Sequence, residues 1–249
     1  MIAVTGAAGK TGRAVLAALA ARGVPTRALV RPGRVVEATE TVPVDLFDAE
    51  QVASALAGTS AVYVIAPNVH PAEPELVANV LAAGVERVVY HSVLHPAVEA
   101  MPHHWAKMRS EELLYASGRD WTVLQPCAYT QNLRSFQVPY SIDARFAFVD
   151  LLDVAFVAAR VLVEEGHSYA TYQLAGPELL SVASVASLME ARAERQDRTG
   201  SPGYAGAALG AMFAYYDAHG LVGNSRVLSM LLGREPTRVA EVLARGSDG

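Results

Sequence analysis

Apolar and polar positions along the first half of the chain form a repeating order of strand and helix. Residues 2–4 make a short apolar strand, and an alanine- and leucine-rich stretch over residues 11–22 has the spacing of a helix. Residues 26–30 alternate as a second strand and residues 42–45 as a third. Asp48 caps a helix that runs to Leu56 and ends at Gly58. Residues 61–65 are continuously apolar, as a strand buried on both faces of a parallel sheet must be. A helix over residues 71–83 stops at Gly84, a strand follows at 87–90, a helix at 105–117 closes at Gly118, and residues 121–124 are strand again. Strand and helix in this sustained alternation predict an α/β fold with a doubly wound (Rossmann) parallel sheet, whose ligands bind at the carboxyl ends of the strands.

Beyond Pro126 the alternation weakens. A mixed segment reaches Ala147, followed by a helix at 154–164 capped by Asp153, a strand at 171–174 and a helix at 181–195. Polar residues gather over 196–203, and helices at 205–219, 225–232 and 236–245 close the chain. These elements are too few to bury a core alone. The chain therefore reads as a single domain over 1–249, in which 1–126 forms the core and 127–249 adds a small, mainly helical lobe on the substrate side.

The turn after the first strand carries the most specific signal. Gly6, Gly9 and Gly12 are spaced three apart between strand and helix. A dinucleotide pyrophosphate needs this arrangement: the first glycine for the tight turn, the second for close approach of the backbone, the third for close packing of helix on strand. The helix N-terminus adds N–H donors and the positive end of its dipole. At the end of the second strand an acidic residue would hold the ribose hydroxyls of NAD, whereas an arginine accommodates the 2′-phosphate of NADP. Here Arg31 stands there, with no carboxylate before Glu37, and Lys10 offers a second positive charge. NADP is the expected cofactor.

Composition narrows the class without naming a substrate. The 249 residues are 52% apolar with a formal net charge of -5, so no basic face for nucleic acid is expected. No apolar run approaches a membrane span, and a cytoplasmic protein is expected. The single cysteine, Cys127, follows Pro126 in an apolar stretch and reads as a buried structural thiol. The histidines show no metal-ligand spacing, and no metal site is expected. Lysine occurs only as Lys10 and Lys107, against eighteen arginines, which singles out both as places where a compact ammonium is wanted.

Several segments together resemble one family. Thr5 to Gly12, Ala28 to Pro32, Val44-Asp45-Leu46, His91-Ser92-Val93, the stretch from His103 to Lys107, Leu124-Gln125-Pro126, Tyr215 to Gly220 and Leu231 to Pro236 are similar to the NmrA-like group of atypical short-chain dehydrogenases/reductases. The resemblance spans nearly the whole chain. It implies cofactor contacts at Gly6, Ala8, Gly9, Lys10, Thr11, Gly12, Arg31 and Pro126, with Asp45 and Leu46 at the adenine and Ala66 and Pro67 along the ribose. It also implies a catalytic group of Lys107 with Ser92 at the preceding strand end. Family members place a tyrosine four residues before the lysine, but this chain has His103. A helix brings residues four apart onto one face, so His103 can either replace the tyrosine as general acid or open the helix after Pro102 in a site without a proton donor.

The resemblance implies an NADPH-dependent reductase of a ketone, quinone or enone on a mostly apolar or aromatic small molecule. The alternative is a non-catalytic NADP(H)-binding redox sensor, and an NADP-using isomerase or epimerase is a third reading. The stretch 189–206 is shorter than its counterpart in such relatives, which implies an open pocket or one completed by a partner in a homodimer. If Arg31 clamps the 2′-phosphate, titration calorimetry will give NADPH an affinity about tenfold or more above that of NADH, and Arg31→Asp will narrow or reverse the preference. Equal affinities for the unmodified protein would remove the clamp.

Overall fold

The computed structural model describes residues 1–133, 135–196 and 202–245. Its elements run β1 (Ile2–Val4), α1 (Lys10–Ala20), β2 (Thr26–Val30), β3 (Glu40–Pro43), α2 (Ala49–Leu56), β4 (Ala61–Val64), α3 (Glu73–Ala82), β5 (Arg87–His91), α4 (Pro102–Ala116) and β6 (Asp120–Pro126). They continue with β7 (Gln137–Val138), β8 (Arg145–Phe146), α5 (Leu151–Val163), β9 (Ala170–Leu174), β10 (Leu180–Ser181), α6 (Val182–Leu188), β11 (Glu194–Arg195), α7 (Tyr204–His219), α8 (Arg226–Leu232) and α9 (Val239–Ala244). Seven strands form one sheet in the order β3-β2-β1-β4-β5-β6-β9, and every pairing from β3 through β6 is parallel. This is the doubly wound Rossmann order, with its switch point between β1 and β4. The expected fold class is the observed one.

Two compact units share the chain. The first comprises Met1–Ser92, Ala106–Leu124 and Ala155–Thr171. All residues of β1 and β4 are buried, as their unbroken apolar runs require. Val62, Val64, Val88 and Tyr90 of the sheet pack with Val52 and Leu56 of α2 and with Leu76, Val77 and Val80 of α3. Fully burying each such valine or leucine contributes about 1.5–3 kcal/mol. Two arginines tie the amino ends of the strands. Arg27 pairs with Glu40 at 2.7 Å and donates to the Ala55 and Ala57 carbonyls that end α2. Arg87 bonds Asp120, Thr122 Oγ1 and the Val161 carbonyl, joining β5, β6 and α5.

The second unit comprises Val93–Trp105, Gln125–Val154 and Tyr172–Gly249. It holds an antiparallel pair, β8 with β10, and a parallel pair, β7 with β11. Tyr140, Phe146, Phe148, Phe213 and Tyr216 form a linked set of ring contacts. Two buried aspartates anchor the C-terminal segment: Asp150 accepts from Arg245 at 2.7 Å, and Asp153 accepts from Arg234 at 2.6 Å and from the Thr237 N–H at 2.7 Å.

Boundaries depart from the sequence reading where tertiary contacts decide them. β3 begins at Glu40, two residues before the apolar stretch, because an exposed edge strand needs only backbone pairing with β2. α4 starts at Pro102, a residue suited to the first helical position, so His103 and His104 lie in its first turn. α5 starts at Leu151, and the Leu152 N–H is received by Asp150 at 3.1 Å, which leaves Asp153 to the C-terminal segment. The helix expected at 181–195 ends at Leu188; Glu190 has a positive φ of 53°, and Glu194 and Gln196 donate to the Phe136 and Val138 carbonyls instead. Of the short 189–206 stretch, residues 197–201 lie outside the described residues.

Two glycines of different surroundings separate space from propensity. A Cβ on Gly12 would lie 2.5 Å from the Gly6 carbonyl oxygen and 2.6 Å from Ala7 Cα, whereas one on the helical Gly210 meets nothing within 4 Å. In urea denaturation Gly12→Ala is expected to lose about 1–3 kcal/mol by overpacking, and Gly210→Ala to gain about 0.5–1 kcal/mol by helix propensity.

Candidate functional site

The predicted ligand residues of the first unit lie at the carboxyl ends of successive parallel strands. After β1, Gly6 takes a positive φ of 57°, where a Cβ would press on Ile65 at 3.1 Å. The Gly9 N–H donates to the Gly6 carbonyl at 2.9 Å and closes the turn. Gly9 is the N-cap of α1; no side chain caps the helix, and its first turn carries no acidic residue. A helix start of this kind is suited to an anion. Ala8 is half-buried and receives Arg13 Nε at 3.1 Å on its carbonyl; Lys10 is exposed and Thr11 buried. Thr5 Oγ1 spans the switch point, donating to the Ile65 carbonyl at 2.9 Å and accepting from the Ile65 N–H at 2.7 Å.

Arg31 directly follows β2 and is exposed. The turn after it, closed by the Arg34 N–H on the Arg31 carbonyl, brings a second exposed arginine that the sequence reading passed over. After β3, the exposed Asp45 accepts from the Phe47 N–H at 3.0 Å, and the Leu46 carbonyl accepts from Asn79 at 3.2 Å. Ala66 is half-buried and Pro67 exposed after β4. Pro126 is buried at the end of β6, and its carbonyl accepts from the Leu94 N–H.

Lys107 is 7% exposed on α4. Its ammonium donates to Glu73 Oε1 at 2.8 Å and to the His91 carbonyl at 3.1 Å, and sits 5.4 Å from the centre of the Tyr90 ring. Tyr90 donates to the same Glu73 oxygen at 2.6 Å. Burial, and then the Glu73 carboxylate, push the Tyr90 phenol well above its ordinary range. His91 meets the Tyr63 hydroxyl through Nδ1 at 2.6 Å; burial, and then the Lys107 ammonium, bring its pKa down to about 3.

Ser92 and the two histidines of α4 have other surroundings. The Ser92 hydroxyl is buried and donates to Glu111 Oε1, whose second oxygen receives Tyr115 at 2.7 Å. His103 is 9% exposed, one helical turn before Lys107. Its neighbour His104 is fully buried, with Nδ1 3.2 Å from the His95 carbonyl and Nε2 3.2 Å from the Tyr216 hydroxyl. A carbonyl needs a donor, so Nδ1 carries a proton. Cys127 is buried, and burial pushes its thiol up to about 12, which leaves no thiolate at neutral pH.

Glu73, Tyr90 and Glu111 were missed by sequence reasoning. Glu73 occupies the first turn of a helix, where a carboxylate ordinarily faces solvent and complements the dipole. Tyr90 reads as one more bulky strand residue. The scarcity of lysine was the available signal, because a singular lysine near the core calls for a buried counter-charge.

Residues 6–165 match the NAD(P)H-binding family. The chain belongs to that family. Curated relatives include the NAD(P)H azoreductase of Xenophilus azovorans, 29% identical over 80% of this chain and 76% of its own. Quinone oxidoreductase 2 of Escherichia coli is 27% identical over 97% of this chain and 96% of its own. Among solved structures, the NADPH-dependent quinone oxidoreductase of Escherichia coli complexed with NADPH superposes with a TM-score of 0.83, at 24% identity over 98% of this chain and 99% of that one. The NAD(P)H-binding match covers the glycine turn from its first glycine and every element from α1 through α5. The match and these reductase relatives agree with the likeness to the NmrA-like atypical reductases read from the sequence. Among the described residues no helix is long and apolar enough to cross a membrane.

The depressed pKa of His91 has a sign that can be checked. The unfolded imidazole takes up a proton below about pH 6.5, whereas the folded one resists until about pH 3. Its contribution to stability is full above about pH 6.5 and declines by up to about 1.4 kcal/mol per pH unit as pH falls toward the folded value. In NMR titration the His91 ring resonances are expected to stay fixed between about pH 5 and about pH 8.

Proposed function

We propose that the protein is an NADPH-dependent reductase whose substrate is a quinone, ketone or enone on a mostly apolar or aromatic small molecule. The observation that carries this reading is one edge of the first unit, where the anion-ready glycine turn and the ends of β2, β3 and β4 stand in series with the buried Lys107 behind β5. The named activities of the azoreductase and quinone oxidoreductase relatives support an NAD(P)-dependent oxidoreductase. NADP over NAD rests on Arg31, with Lys10 and Arg34 as further positive charge.

The residues fit a dinucleotide. A Cβ at Gly12 would fill the space between α1 and the turn, and the uncapped helix start would hold the pyrophosphate. Arg31 would hold the 2′-phosphate, Asp45 and Leu46 the adenine, Ala66, Pro67 and Pro126 the rest of the cofactor. When bound, the reduced nicotinamide supplies a hydride. Lys107 keeps an ammonium donor at a fixed place for a ribose hydroxyl, while His103 is assigned the proton that the substrate oxygen takes up. Ser92 reaches this chemistry only if its hydroxyl leaves Glu111. The division into a 1–126 cofactor core and a 127–249 substrate lobe, a cytoplasmic location and a homodimer belong to the same proposal.

Turnover of a panel of quinones, azo compounds and ketones with NADPH tests it. Lys107→Met is expected to lower kcat about a hundredfold or more while weakening NADPH binding less than about tenfold. A panel that consumes no NADPH, with a partner protein captured in only one redox state of the cofactor, would favour the sensor reading that the replacement of tyrosine by His103 also allows.

A further inference from the structure

Lysine 107 is held by a device that stability alone does not account for. Glu73 is fully buried on α3, and two hydrogen bonds converge on one of its oxygens, Oε1, from Tyr90 at 2.6 Å and Lys107 at 2.8 Å. The other oxygen, Oε2, is buried with no hydrogen-bond partner among the described residues. A buried acceptor left without a partner destabilises a fold, and buried ion pairs are often replaceable by apolar residues without loss. An ammonium carries three donors, and among the described residues two of them are used, on Glu73 and on the His91 carbonyl.

From β5, Tyr90 gives its hydroxyl to Glu73 and its ring face to the ammonium, and His91 gives its carbonyl while its ring turns to Tyr63 of β4. From α4, Ser110 and Glu111 act on Tyr90, and Glu111 is itself bonded by Ser92 and Tyr115. Glu73 is thus the carboxylate that meets the ammonium directly, and Tyr90 fixes the oxygen that does so.

We infer that Glu73, oriented by Tyr90, is the positioning residue for Lys107, holding the ammonium at one place and in one orientation so that its third N–H serves the bound cofactor or substrate. The inference rests on the reductase reading, in which Lys107 acts at the cofactor. It assigns Glu73 no contact with the reacting atoms. Its action passes entirely through Lys107, which makes the two residues a single unit in any measurement.

The test is a double-mutant cycle on the full chain with Glu73→Gln, Lys107→Met and the pair combined, reading kcat and KM for a quinone and, separately, NADPH affinity by fluorescence titration. Gln keeps the shape and an acceptor for Tyr90 but loses the charge. Glu73→Gln is expected to lower kcat about tenfold or more with KM changed less than about threefold, and to add less than about twofold on top of Lys107→Met. Glu73→Asp, which keeps the charge at a shorter reach, is expected to recover part of the loss. Losses that multiply in the double variant, or a Glu73→Gln enzyme with unchanged kcat and NADPH affinity, would overturn the inference. Should Glu73→Gln not fold, Tyr90→Phe takes its place in the cycle with the same expectation and the same overturning result. If the unmodified protein consumes no NADPH with any member of the panel of quinones, azo compounds and ketones, the reductase reading fails by itself. The affinity cycle then still decides the positioning role: coupled losses of NADPH affinity support it and additive losses overturn it.

Discussion

The close approach of α1 to β1 is the constraint on which the rest of the first unit depends. Gly12 lies so near the Gly6 carbonyl and Ala7 that no side chain fits between them, and Gly6 itself turns in a region that favours glycine. With that gap closed, the helix axis points its bare N-terminus at the crevice where β1 and β4 part. Thr5 completes the arrangement by bonding both backbone groups of Ile65 across the switch point. The strands beside β1 inherit their ends from this register, and with them the positions of Arg31, Asp45 and Ala66.

A second constraint acts behind β5. A charged lysine that is 7% exposed must find compensation inside the protein, and two elements supply it: a carboxylate from α3, and a carbonyl and a ring face from β5. The electrostatics of the neighbourhood follow. His91 is kept neutral first by burial and then by the same ammonium that Glu73 compensates, and Tyr90 keeps its proton first because it is buried and then because a carboxylate receives it. Polar groups packed this closely leave few alternative arrangements, so the lysine head is defined by its surroundings more than by its own flexible stem.

The fold was readable in the chain because parallel sheets demand unbroken apolar runs, and 61–65 and 88–90 supply them between helix-spaced stretches. The glycine turn was readable for the same kind of reason: it is a local motif whose geometry depends on neighbours in sequence. What escaped depends on residues distant along the chain. The short α6, ended where Glu194 and Gln196 pair with β7, and the capture of Asp153 by Thr237 are settled by segments 50 or more positions away. Glu73 escaped for a related reason, since its helix position looks solvent-facing until α4 is laid beside it. The place of His103 at the helix start was legible from Pro102 and from its spacing to Lys107, although the helix itself was counted only from Trp105.

Arg27 and Arg87 tie the strands together at their amino ends, opposite the edge that carries the glycine turn and Arg31. These cohesive contacts and the proposed ligand contacts are thereby assigned to different rims of one sheet. Loops on the ligand rim carry exposed residues such as Arg34, Asp45 and Pro67 whose replacement disturbs no stapling contact. A scaffold divided in this way can accumulate changes in what it binds while its folding equilibrium stays nearly constant, which makes diversification of ligand preference within such a lineage mechanically inexpensive.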